Sequence, residues 1–185
     1  MRVIIYDAKP GSRFIDKFLK LSWLVAAWFQ KLIGVADAVY AAETWLSTVE
    51  FLSRHDKLTS LQYWGHGSPG TVWLSGHPLT ADDFRALKGR MAPEGIIWFR
   101  CCSVFQGLRG HRFSEQLANE LNCTIAGHTR VIGVFQGGLH TRKPYTAPSW
   151  PIEEVEFPFS MWSYLGLKWG NNTVVCLATK VPSGW

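Results

Sequence analysis

The sequence predicts an α/β protein with a mainly parallel central sheet. Three observations carry this expectation. Short runs rich in β-branched and aromatic residues alternate with longer segments of helical spacing. The chain has 185 residues, of which 47% are hydrophobic and 18% charged, enough for a real core in a single domain spanning residues 1–185. Two unusual motifs, Gly65-His66-Gly67-Ser68-Pro69-Gly70 and Arg100-Cys101-Cys102-Ser103, each follow a strand directly. In open α/β sheets the carboxyl ends of strands are where ligands sit.

The elements follow in chain order. Arg2–Tyr6 reads as a strand ending at Asp7. Phe14–Ile33 has helical spacing, with Phe14, Phe18, Leu21, Leu24, Val25, Phe29 and Leu32 near one face, and is expected to be a buried helix stopped by Gly34. Ala36–Ala41 is a weak strand. Thr44 is expected to cap a helix over Trp45–Arg54, with Trp45, Val49 and Leu52 inward. Lys57–Trp64 reads as the third strand, and Thr71–Leu74 as one arm of a small hairpin. Thr80 is expected to cap a helix over residues 81–88, and residues 92–95 form a loop. Ile96–Phe99 is a strand, followed by a helix over His111–Leu121 that Gly110 leads into. Cys123–Gly127, Arg130–Phe135 and Thr173–Ala178 read as short strands, and the Gly-, Pro- and Thr-rich residues 136–151 as a long loop or hairpin.

Composition excludes a disordered tail, a collagen-like chain and a coiled coil. Nineteen Lys and Arg against 14 Asp and Glu give +5, but no basic run with interleaved aromatics occurs, so nucleic acid is not an expected partner. Lys20, Gln30, Lys31 and Asp37 interrupt the apolar stretch from Leu19 to Val39, so neither a span nor a membrane partner is expected. Cys101, Cys102, Cys123 and Cys176 have no disulfide-like spacing, and the opening residues read as a strand rather than a secretory signal. A reducing, cytoplasmic setting with free thiols is the expectation.

If the third strand and Ile96–Phe99 are neighbours, their carboxyl ends bring a histidine and a thiol together. An imidazole can generate a thiolate and later protonate a leaving group. The glycines beside His66 permit close approach and leave peptide N–H groups free for an oxyanion. A histidine in a Gly-rich turn is more often structural, and a buried Cys is usually inert; both at successive strand ends favour a dyad. A metal site of Cys101, Cys102 and His66 or His111 is disfavoured, because adjacent cysteines ligate one zinc poorly. An α/β-hydrolase is disfavoured because Gly127-His128-Thr129 is the nearest approach to a G-x-S-x-G elbow.

At Tyr63–Gly70 and Ile96–Ser103 the chain resembles the caspase-like cysteine peptidases, the group of caspases, legumain, gingipains and separase, and is similar to small bacterial members with an H-G-S-P-G turn. Gly107, Gly110, Phe113 and the helix to Leu121 fit that pattern, and the likeness covers roughly residues 1–135. Two departures stand out. The interval from His66 to Cys102 is shorter than the about 50 residues of caspases, and Arg-Cys-Cys-Ser replaces Q-A-C-R-G.

The resemblance implies a three-layer sandwich with a mostly parallel six-stranded sheet between helices. It implies a cysteine endopeptidase with His66 as base and acid, Cys102 as nucleophile, and the N–H groups of Gly67 and Cys102 as oxyanion hole. The partner would be a protein or peptide substrate, with no cofactor and no metal. Neighbours on an extended segment point to opposite faces, so only one of Cys101 and Cys102 can meet His66. Matching Cys-Ser-Val with the following glycines, and the caspase pattern itself, selects Cys102; counting straight off Ile96–Phe99 selects Cys101. Asp7, Arg100 and Thr129 are candidate substrate-binding residues. Asp7 would suit a basic side chain before the cut, whereas Arg100 and Arg13 would suit an acidic one. The preference falls on basic, because Asp7 stands on the rim where ligands bind. The competing reading is a non-catalytic domain of this fold that acts as a protein-binding scaffold.

Overall fold

A computed structural model describes residues 1–55, 57–154 and 169–185. Its main sheet has six strands. They are β1 (Arg2–Asp7), β2 (Ala38–Ala42), β3 (Leu58–Trp64), β7 (Met91–Arg100), β8 (Thr124–His128) and β10 (Leu139–Arg142), in the spatial order β10-β8-β7-β3-β1-β2. All neighbours are parallel except β10, which runs antiparallel to β8, so the sheet is mixed. A second sheet of β4 (His66–Ser68), β5 (Thr71–Leu74) and β6 (His77–Leu79) forms an antiparallel meander. Phe135–Gln136 (β9) and Val174–Val175 (β11) make a separate ribbon.

Among the described residues three α-helices connect these strands: α1 (Phe14–Leu32), α2 (Trp45–Ser53) and α3 (Gly107–Leu121). The central strands are apolar on both faces, as parallel strands covered on both sides must be. Val3, Ile5, Leu61, Ile97 and Phe99 pack on one face with Leu52 of α2 and with Phe113 and Leu117 of α3. Ile4, Tyr6 and Trp64 pack on the other face with Ala26 and Ala27 of α1. Trp98, Ala126 and Leu139 continue that face under the C-terminal segment, through Val174, Ala178 and Val181. No helix among the described residues is long and apolar enough to cross a membrane.

Several elements depart from the expectation. Leu24 packs against the core as expected, as does Trp23, but most of the large apolar residues of α1 do not face it. Phe14, Phe18, Leu21, Val25, Phe29 and Leu32 are exposed, while Ala26, Ala27 and Gln30 are buried. Periodicity finds an apolar stripe but not the side of the helix that packs, and here small residues let α1 approach the sheet closely. The helix expected over 81–88 is a short 3-10 helix, Asp83–Leu87, and Thr80 does not cap it by accepting an N–H; its own N–H and hydroxyl donate to the Asp83 carboxylate. Residues 92–95 belong to β7, which accommodates them through a register shift opposite Leu58–Ser60 and a left-handed Glu94. Residues 130–134 are irregular, and the stretch expected to be a loop contains β10. Thr44 caps α2 as expected, accepting the Ser47 N–H at 3.2 Å.

One buried histidine makes the fold acid-sensitive. The Nδ1 of His128 meets the Gly137 carbonyl at 3.0 Å, and its Nε2 lies 3.3 Å from the Trp98 indole N–H. Neutral imidazole fits both contacts, with Nδ1–H donating and Nε2 accepting. Burial lowers its pKa to about 3. An unfolded histidine titrates near ~6.5. The unfolded chain therefore binds the extra proton first, and the stability this group supplies is whole above ~6.5 and is lost as pH falls toward about 3. Urea unfolding at pH 7 and pH 4.5 should show wild type losing about 2–3 kcal/mol more than His128→Asn. Equal losses in the two proteins would contradict this assignment.

Candidate active site

Strand register sets the site. β3 and β7 pair in parallel through Tyr63↔Phe99 and Trp64↔Arg100. His66 and Cys102 each lie two residues beyond the last of these pairs, at the carboxyl ends of central strands. The two segments are then held together by close backbone packing. An added Cβ at Gly67 would lie 2.6 Å from the Cys102 carbonyl oxygen and 2.7 Å from Cys101 Sγ. Only glycine lets the histidine segment rest on the cysteine segment. Gly70, left-handed at φ +71°, donates its N–H to Val104 O at 3.0 Å and tightens the same junction. On the other flank Ser103, also left-handed, donates to Arg130 O at 2.9 Å, and Phe105 donates to His128 O at 3.0 Å. The turn carrying Cys102 is thus braced from both sides.

The two cysteines sit in different surroundings. Cys101 is buried in the core, and burial pushes its thiol well above the ordinary range. Cys102 is half-buried, with Sγ 3.8 Å from the Ile132 carbonyl. His66 is half-buried, and its Nε2 lies 3.5 Å from Asp16 Oδ1. The Trp23 ring meets it edge-on at 5.5 Å. Asp16 is itself fixed, because its Oδ2 accepts the Arg13 N–H at 3.0 Å. Nε2 is thus the ring nitrogen that faces the Asp16 carboxylate.

A family model described as a domain of unknown function (DUF4347) matches residues 30–140, more than half of the chain. The chain belongs to the DUF4347 family. No curated protein and no solved structure matches it. The DUF4347 match includes His66, Cys101 and Cys102, together with β2 to the first half of β10; β1, most of α1 and the C-terminal segment lie outside it.

In this DUF4347 member the three residues expected to bind substrate are buried structural groups. Asp7 accepts the N–H groups of Lys9 at 2.9 Å and Ser75 at 3.2 Å, and so holds the left-handed turn between β5 and β6. Burial raises its pKa, against the pull of these donors and of the His66 charge. Arg100 lies between the Trp64 and Trp98 rings, at 4.5 and 4.1 Å, and donates to Gln62, Gln136 and the Ala178 carbonyl. Thr129 donates to Glu154 Oε1 at 2.9 Å, and Glu154 in turn pairs with His140 at 2.8 Å. Among the described residues no group of three or more His, Cys, Asp or Glu could hold a metal ion, and His111 packs on Trp150 at 4.8 Å.

Asp16 was not legible as a site residue. It comes from a distant helix, and its only sequence signal is an acid in a first turn, which ordinarily means helix capping. The Gly67 contact gives a direct test of how the site is built. Gly67→Ala should lower unfolding stability by about 1–3 kcal/mol, since the Cβ meets backbone that cannot move aside. Unchanged urea stability would show that the two segments are not packed together as described.

Proposed function

We propose that this DUF4347 protein is a cysteine endopeptidase with a caspase-like three-layer fold. His66 and Cys102 form its dyad, and a protein or peptide is its substrate. The observation that carries this reading is their equivalent placement two residues past Trp64↔Arg100, locked by Gly67. Of the two neighbours Cys102 is the partly accessible thiol, while Cys101, whose Sγ packs under Gly67, is in the core. None of the four cysteines is joined in a disulfide, which suits a reducing, cytoplasmic setting.

In this mechanism the Cys102 thiol gives its proton to His66 Nδ1, and the thiolate attacks the scissile carbonyl carbon. The N–H groups of Gly67 and Cys102 receive the oxyanion. The tetrahedral intermediate collapses, the C–N bond breaks, and His66 returns the proton to the departing amine, leaving a thioester. Water, deprotonated by His66, then attacks the thioester; the acid leaves and the thiol is restored. Asp16 acts as a positioning residue, fixing the imidazole through Nε2 without touching substrate.

One observation favours the scaffold reading instead. Asp7, Arg100 and Thr129 are all engaged inside the protein, so no specificity pocket is built from them. The two readings separate in one experiment. Purified protein is incubated with a proteome-derived peptide library and new termini are identified by mass spectrometry. Wild type and Cys101→Ala should cleave, and Cys102→Ala should fall by at least about 10³-fold. No cleavage by folded wild type favours the scaffold. Loss in Cys101→Ala alone would move the nucleophile to Cys101.

A further inference from the structure

Helix α1 is apolar on two sides. Its inner side rests on the sheet through Ala26 and Ala27. Its outer side carries Phe14, Phe18, Leu21, Val25, Phe29 and Leu32, which recur every three or four residues over about five turns. Phe14 is 87% exposed, Leu32 84%, and Phe18 and Val25 60% each. Single exposed apolar residues are ordinary, but a continuous stripe along a whole helix marks a contact surface.

The charges on the helix say what covers it. Lys17, Lys20 and Lys31 are exposed along one flank of the stripe, and Arg13 is exposed at its start. The Lys31 ammonium lies 4.7 Å from the Trp28 ring centroid. The one acid of α1, Asp16, is buried and faces His66. The nearest acid recorded against this flank, Glu43, is paired with Lys9 at 2.8 Å and also acts on Lys20. The outer half of α1 is therefore apolar along its centre, edged with aromatic rings and lysines, and free of carboxylates. Such a helix settles into the boundary of an anionic bilayer, with its apolar side in the acyl region and its lysines reaching back to the headgroups. A second copy of this chain would cover the apolar stripe but would bring lysines, not acids, to the flank.

We propose that α1 is a membrane-docking helix that lies in the surface of a negatively charged lipid bilayer. It differs from the expectation, drawn from the sequence, of no membrane partner. It agrees with the absence of a crossing helix among the described residues, since α1 lies on the bilayer rather than through it. The same helix places Asp16 and Trp23 against His66 from its inner side, so docking sets the candidate site across the helix from the lipid surface. The inference does not rest on the peptidase reading.

The test is cosedimentation of the full chain with vesicles of phosphatidylcholine alone or of phosphatidylcholine mixed equally with phosphatidylglycerol. Wild type should bind the mixed vesicles at least about tenfold more strongly, and less so in high salt. Phe18→Ser/Val25→Ser/Leu32→Ser should lose at least about tenfold in partitioning. Lys17→Gln/Lys20→Gln/Lys31→Gln should lose the preference for anionic lipid, and this variant decides the matter if the first fails to fold by circular dichroism. Failure of wild type to bind mixed vesicles at low salt overturns the proposal, as does binding that neither variant changes. A concentration-dependent dimer abolished by the apolar variant, without vesicle binding, would assign the stripe to a second copy.

Discussion

The buried guanidinium of Arg100 is the constraint on which the rest of this structure depends. It sits at the last paired position of β7 with no carboxylate of the described residues paired to it, held by two indole faces, two glutamine side chains and carbonyls of the C-terminal segment. Burial draws its pKa down to about 9, so it is still charged at neutral pH. A buried cation is costly unless every donor is satisfied. This one ties together β3, β7, β9 and the chain end, and through Gln62 and Gln30 it reaches α1. Because successive strand residues point to opposite faces, fixing Arg100 on this face puts Cys101 into the opposite core. Cys102 is then the thiol left at the strand end.

Several elements then converge on that end. Glycine at 67 lets the histidine segment lie on the cysteine segment, and Gly70 and Ser103 adopt left-handed turns that brace it. Asp7 keeps the β5–β6 turn in place beneath, with Tyr63 donating its hydroxyl to the Trp73 carbonyl of the same meander. Helix α1 contributes twice. Its inner side supplies Asp16 and Trp23 to His66, and its outer side carries the apolar stripe. The proposed chemistry and the proposed docking surface are therefore two sides of one helix.

Strands β1, β2, β3, β7 and β8 were legible in order because each is a short stretch dominated by apolar residues. The two motifs were legible because they break those runs abruptly. What was not legible depended on distant partners. The outward face of α1 could not be told from an inward one without knowing that Ala26 and Ala27 fit the sheet. Strand β10 is short and follows Gly137-Gly138, so only its pairing with β8 reveals it. Arg100, Asp7 and Thr129 looked like ligand contacts because charged or hydroxyl groups at strand ends usually meet solvent; here, partners far along the chain enclose them.

The central claim is that Cys102 is a thiol activated by His66. It is tested most directly by the rate at which each cysteine of the folded protein reacts with iodoacetamide at neutral pH, followed by peptide mass spectrometry. Cys102 should label fastest of the four, and His66→Ala should slow it by at least about tenfold while leaving the other three unchanged. Labelling of Cys102 at the same rate with and without His66 would contradict the account.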